Sequence, residues 1–528
     1  MKKTIKKILS VAIAAVAAMS VFSLNACSKG GDTSGTLVIE AVQLGYGLDW
    51  LDSLANEWSA KTGNEVKIIK KIGEQGNQTI TDEIESHASD SDVFIYRTSE
   101  YARKIYEGEI NVSGKSYDCV YLDITDLCNK SLDGENGASI SSKLLTTYKD
   151  VFCVNDKYYG LPWIEGVVGI MRNVDLWNKL GFTDDDIPLT TDQLFETCDK
   201  IKQATAADTK FKNVAPFLYS AEDEYYTMFM ESWLFQYEGK ENSEKFLAGK
   251  DPSGVVSNDI FTYQGQQEMF SVVEKLVKSS NGYQHPKSEG LDFTSMQGQF
   301  LKEQSVFCVN GAWIEIEMGS SYPDVKIDFI DTPIISSLVK KLSFYNEEAK
   351  DNDIKLREIV KYVDSTDSGY ENKPSFATES DIDTVREARK YNFSSQAAHH
   401  VLVGSSYSAK TDMIKSFIEY MYSDKGMDCY YKATKGATLP FELSENGTYS
   451  DVAVSDFQRG IRNIDKNEIF VYASSAKMYS IGGVDLKFNN GINEYINALA
   501  NGSITASGIM QKNRAYMQNN WSSISSKL

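Results

Sequence analysis

The sequence predicts an α/β protein of two or more domains, on three observations. Between Thr36 and Tyr96, apolar β-branched runs alternate with helical patterns over short connections, the order that builds a parallel, doubly wound sheet. A second alternation of strand and helix patterns opens near Asp156. The length, 528 residues, exceeds what a single hydrophobic core fills.

The elements follow in order. Thr36 to Val42 reads as a buried strand, broken by Gly45-Tyr46-Gly47. Leu48, Leu51, Leu54, Ala55 and Trp58 share one helical face, and Gly63 stops that helix. Val66 to Ile69 is a second strand, Thr79 to Ala88 a short polar helix, and Val93 to Tyr96 a third strand. Such sheets bind ligands beyond the carboxyl ends of their strands. Two clusters fall there: Tyr46 to Trp50, which includes Asp49, and Arg97 to Tyr101.

In the second block, Asp156-Lys157 reads as a turn and the residues up to Trp163 as an extended crossing strand. Val167 to Met171 continues as a strand, and Asn173 to Leu180 as a helix ended by Gly181. Thr190 and Gln193 form a capping box for a helix that turns Leu194, Cys198 and Ile201 inward. Ser305 to Val309 is a strand running into Gly311-Ala312-Trp313. Residues 336–395 read as a polar, helix-rich insertion. Lys410 to Tyr422 is amphipathic, with Met413, Phe417 and Met421 four apart, and no internal repeat stands out.

The N-terminus carries a different message. Lys2, Lys3, Lys6 and Lys7 precede a 15-residue apolar run, Ile8 to Phe22, too short to span a bilayer comfortably. Leu24-Asn25-Ala26-Cys27 follows, and the whole reads as a secretory signal. Its last four residues resemble the lipobox of bacterial lipoproteins, with Asn25 as the departure; the resemblance implies diacylglycerol on Cys27. Residues 1–26 are then the signal peptide and 27–35 a lipidated Gly/Ser/Lys tether. An ordinary secreted protein with a chance Cys near its cleavage site is the other reading.

Composition narrows the partners. The first 26 residues hold four lysines and no acid, so their removal moves the net charge from −20 to −24. Such an acidic body argues against nucleic acid and anionic membrane surfaces. The six remaining cysteines, Cys119, Cys128, Cys153, Cys198, Cys308 and Cys429, are widely and irregularly spaced, and free buried thiols are expected. No Cys-x-x-Cys or His-Glu-x-x-His spacing occurs, so no metal site and no cofactor are expected.

Lys157-Tyr-Tyr-Gly-Leu-Pro-Trp163, with Glu165-Gly166-Val-Val-Gly169 and Met171-Arg-Asn173, resembles the lobe crossing of extracellular solute-binding proteins of sugar ABC importers. Asp175-Leu176, residues 187–194, Gln299-Phe300-Leu301 leading to Val309–Trp313, and Ala409 to Gly426 fit the same pattern in the same order. The resemblance covers most of 36–445, and the insertion near 336–395 is its main departure. It implies a periplasmic-binding-protein-like clamshell of maltose-binding-protein type, each lobe a mostly parallel sheet flanked by helices. The expected division is 36–155 for the N-terminal lobe, 156–333 for the first part of the C-terminal lobe, 334–407 for a return with the insertion, and 408–528 for C-terminal-lobe helices.

A sugar offers flat C–H faces and rings of hydroxyls, which suit aromatic platforms and charge-assisted hydrogen bonds. Trp163 and Trp313 are candidates for stacking, or for interlobe packing. Gly311 would allow close backbone approach. Glu165 would bond hydroxyls or solvate a turn; Tyr46 and Asp49 stand where the first strand ends. Trp50 reads as core, Trp58 likewise. Arg97 would read the ligand or pair with Glu100. Tyr225 to Phe235 reads mostly as core, with one aromatic reaching the cleft, and Tyr407 is a further candidate.

The expected function is a monomeric lipoprotein on the outer face of the bacterial cytoplasmic membrane. It delivers a carbohydrate, rather an oligosaccharide than a monosaccharide, to ABC permease subunits, with no catalysis. A surface glycoside hydrolase, needing two carboxylates across the bond, and a non-transport glycan sensor or adhesin are the alternatives.

Overall fold

The helix between the first two strands shows how local chemistry sets the architecture. Asp49–Thr62 carries acids in its first turn, a lysine in its last, and ends at Gly63, whose φ of 76° takes the left-handed cap. Its apolar stripe, Trp50, Leu51, Leu54, Ala55 and Trp58, is buried. The computed structural model describes residues 35–528 except 221–224, 367, 472–473, 487, 489 and 493. The expected signal peptide, the expected lipidation of Cys27 and the expected tether before residue 35 lie outside the described residues.

The strands that matter for function are β1 (Thr36–Gln43), β2 (Glu65–Ile72), β3 (Val93–Arg97), β4 (Gly160–Pro162), β5 (Val167–Asn173), β6 (Ala215–Leu218), β7 (Ser305–Gly311), β8 (Ile327–Phe329), β9 (Phe393–Ser395), β10 (His400–Gly404) and β11 (Ile469–Phe470). They form two sheets. The first has the order β2-β1-β3-β10-β4, and the second β6-β7-β5-β9-β11 with β8 also on β5. Each sheet has its own hydrophobic core: Ile39, Leu54, Trp58, Ile95 and Leu402 in the first, Ile170, Trp177, Leu194, Phe307 and Val360 in the second. The architecture is the expected two-lobed α/β fold.

Two details differ from the sequence reading. The sheets are mixed rather than mostly parallel. β1 pairs β3 in parallel, as do β6 with β7 and β9 with β11. β10, however, runs against β3 and β4, and β5 runs against β7, β8 and β9. β5 opens the second sheet after the first passage and β10 returns to the first sheet after the second, so the antiparallel pairs fall on the strands beside the passages.

Packing also departs from the expected division. Ile335, Leu338, Leu356, Ile359 and Val385, expected in a return to the first lobe, lie in the second core. The helices Thr411–Met421 and Asp424–Ala433, expected with the second lobe, bury Ile414, Phe417, Met421 and Tyr430 in the first. Periodicity identifies an apolar face but not the core that receives it. The chain passes between sheets from β4 to β5, from β9 to β10, and after Ala433 on the way to helix Asp456–Asn463, whose Phe457 and Ile461 join the second core.

Smaller expectations resolve similarly. Asn173 caps the helix Val174–Lys179 by accepting from the Leu176 N–H at 2.9 Å. Thr190 accepts from the Gln193 N–H at 3.3 Å, but the Gln193 side chain accepts from Leu189 rather than from the cap residue. All six cysteines of the described part are free, and five are buried. Among the described residues, no helix is long and apolar enough to cross a membrane.

Candidate functional site

The carboxyl ends of β1, β2 and β3 open onto a cleft of about 790 Å³ between the two sheets. Tyr46, Asp49, Arg97 and Trp163 border it from the first sheet and the crossing, and Trp313 from the second, so five candidates meet there. A smaller cavity of about 610 Å³ lies elsewhere, around Lys202, His285 and Lys287. It holds none of the candidates.

Each candidate has a distinct setting. Asp49 is exposed on the first turn of its helix. Tyr46 is nearly buried, and burial together with the Glu165 charge pushes its phenol pKa up. Trp163 is fully buried and stacks on Trp50, centroids 5.4 Å apart and planes 16° apart, with His400 set edge-on at 5.3 Å. It underlies the cleft as part of the floor. Trp50 is indeed core, and its indole N–H donates to the Gly47 carbonyl at 3.1 Å.

Arg97 does not pair with Glu100. Its guanidinium meets Glu74 at 2.6 Å, while Glu100 takes Arg103 at 2.5 Å. Asn77 holds the Arg97 backbone from both sides, accepting its N–H at 2.8 Å and donating to its carbonyl at 2.9 Å. That pair of hydrogen bonds fastens the start of helix Gly73–Ser86 to the end of β3 and brings Glu74 to the cleft.

Trp313 is half-buried and packs against both hydrophobic cores, with Tyr225 roughly parallel at 6.4 Å and 30°. The space over Gly311 is taken by the same indole: a Cβ there would stand 2.1 Å from its Cη2 and Cζ3. Gly311 therefore makes room for Trp313 in this structure.

Glu165 and Tyr407 lie away from the main cleft. Glu165 is 4% exposed, accepts from Lys466 on both carboxylate oxygens at 3.0 and 2.8 Å, and accepts from Thr438 at 3.2 Å. Tyr407 packs edge-on against His87 and Tyr117.

The sequence reading missed several residues lining the cleft. Glu317 receives the Gln297 amide at 2.9 Å. It stands one helical turn after Trp313, and that i, i+4 spacing was the available signal. Glu74 and Ile72 end β2 as Tyr46 follows β1; Ile72 is 77% exposed. His400 is neutral, because burial pulls its pKa down to about 4, and nothing local marks it. Among the described residues, no group of His, Cys, Asp and Glu is placed to hold a metal ion.

Comparison with known proteins adds the family. The model for bacterial extracellular solute-binding proteins matches residues 45–428. No curated protein matches the chain significantly in sequence. Solved structures share the fold at low identity. The apo form of RafE from Streptococcus pneumoniae is 14% identical, with a TM-score of 0.57 over 93% of this chain and 100% of its own. RafE with raffinose gives 14% and 0.55, over 92% and 99%. A chitin oligosaccharide binding protein gives 15% and 0.58, over 90% and 95%.

Proposed function

The chain belongs to the bacterial extracellular solute-binding proteins, and from that premise we propose that it captures an oligosaccharide between its two lobes and hands it to an ABC importer. The observation that carries this reading is the cleft itself. Aromatic surface from Trp313, Tyr225 and Phe293 faces hydroxyl-bonding groups, Asp49, Glu74, Arg97 and Glu317, across about 790 Å³. Stacking would take the C–H faces of the sugar, and the carboxylates and guanidinium its hydroxyls. RafE and the chitin oligosaccharide binding protein, whose fold it shares, support that ligand class.

The lobes in this reading are divided at the crossings: residues 36–162 with 400–433 on one side, 167–395 with 456–528 on the other. The binding groups come from both, so closure buries the ligand and water leaves. The protein binds without turnover. The lysine-rich start, short apolar run and Cys27 support export, removal of residues 1–26 and lipid anchoring on the outer face of the cytoplasmic membrane, where a monomer meets the permease subunits.

Thermal unfolding of residues 28–528 against raffinose, stachyose, chitin oligosaccharides and monosaccharides tests this. A sugar at a hundred times its dissociation constant stabilises by about 2.7 kcal/mol, a visible rise in midpoint. A saturable shift with the glycan recovered intact supports capture. Cleavage of the glycan would move the reading to a hydrolase, and no shift with any sugar would overturn the ligand class.

A further inference from the structure

We propose that Gly45 is the seat against which Trp313 rests across the cleft, and that this contact sets how closely the two lobes approach. This goes beyond the capture reading but rests on it for its biological purpose. Gly45 belongs to the loop after β1, on the first lobe; Trp313 follows β7, on the second. A Cβ added at Gly45 would lie 2.9 Å from Cδ1 of Trp313 and 3.1 Å from its Cβ and Cγ. The indole is therefore already against bare backbone, at the cleft. Real Cβ atoms essentially never approach within 3.0 Å, so even an alanine at 45 forces a displacement.

The glycine is not required by its own backbone. Gly45 lacks the positive φ that excludes side chains, unlike Gly47, two residues on, at 64°. Nothing lies within 4 Å of a Cβ at Gly47. One loop thus holds one glycine needed for its turn and another needed for its neighbour. Trp313 is confined from three sides, by Gly311 behind, Tyr225 alongside and Gly45 across the gap. It has little room to yield, so a side chain at 45 moves the lobes rather than the indole.

Two measurements without sugar test this, so the outcome is separate from that of the ligand panel. In the first, Gly45→Cys/Trp313→Cys is oxidised and read on a non-reducing gel beside Gly47→Cys/Trp313→Cys and the single variants. The two Cβ positions at 45 and 313 stand 3.1 Å apart, a few tenths of an ångström short of the roughly 3.5–4.5 Å of a disulfide, and a small opening reaches it. Cross-linking about tenfold faster at 45 than at 47 is expected. Equal rates, or none above the single variants, would overturn the contact.

In the second, small-angle scattering compares the wild type with Gly45→Val and Gly45→Val/Trp313→Ala. The radius of gyration rises in the single variant and returns to the wild-type value in the double. An unchanged single variant, or a double variant as expanded as the single, would overturn the seat. A thermal midpoint unchanged in Gly45→Val, and in the double variant no lower than in Trp313→Ala alone, separates a shift in closure from a folding defect.

Discussion

Lys466 donates to both carboxylate oxygens of Glu165, at 3.0 and 2.8 Å, across 301 residues of chain. Glu165 stands in the first passage between the sheets, and Lys466 just before β11 on the strand of chain that returns last. Ser395, at the end of β9, donates its hydroxyl to the Glu165 carbonyl. With Thr438, in the passage after Ala433, donating to the same carboxylate, Glu165 bonds to the chain at all three passages.

Removing one partner of this pair exposes the sign of its role. Lys466→Ala leaves a buried carboxylate with only Thr438, and should cost about 2 kcal/mol, reduced from the fully buried case because Lys466 is 35% exposed. Glu165→Gln/Lys466→Ala should recover part of that loss, since no unpaired charge remains. Urea unfolding of the single and double variants is the check; equal losses would mean the charge is immaterial.

His400 predicts a pH dependence. Its pKa falls from 6.5 to about 4, by burial first and by the Arg97 charge to a lesser degree, against a hydrogen bond to the Gln396 carbonyl that favours protonation. The unfolded chain then binds more protons than the folded one between those values, so stability is complete above pH 6.5 and is lost as pH falls toward 4. The loss attributable to this group approaches about 3 kcal/mol. Unfolding midpoints from pH 7 to 4 for wild type and His400→Gln should converge on acidification as the wild type alone bears this term. Parallel curves would refute it.

Trp163 and Trp313 should separate stability from binding. Trp163→Ala opens a cavity beside Trp50 and should cost about 3–5 kcal/mol in unfolding free energy. Trp313→Ala, half-buried at the cleft, should cost about 1 kcal/mol while weakening a sugar that binds by about tenfold or more. Denaturant unfolding alongside ligand titration distinguishes the two. The reverse pattern would exchange their roles.

Tyr407 should be silent in binding. It packs on His87 and Tyr117, away from the cleft. Tyr407→Phe keeps those ring contacts, and sugar titration should give a dissociation constant within about twofold of wild type. A larger change would bring Tyr407 back as a binding residue.

Much of this was legible because it is written locally. Gly63 ends its helix, Asn173 caps the next, and the strand–helix alternation to Arg97 needs only a few neighbouring residues to specify. The placing of Tyr46, Asp49 and Arg97 at one mouth follows from the rule that parallel strands deliver their carboxyl ends together. Arg97 shows where that reach stops. Glu100, three residues on, was the local partner, but Glu74 arrives from the end of β2 because Asn77 fastens its helix to β3.

The sequence by itself determined the α/β class, the crossing at Trp163 and the chemistry available to the cleft. Only the tertiary structure decided that Glu165 meets Lys466, that Trp313 fills the space over Gly311 and touches Gly45, and that residues 335–385 serve the second core. The reason is range. Helix caps, strand alternation and turns are fixed by forces acting over three or four residues, whereas a charge pair or an indole seat depends on where two whole sheets come to rest.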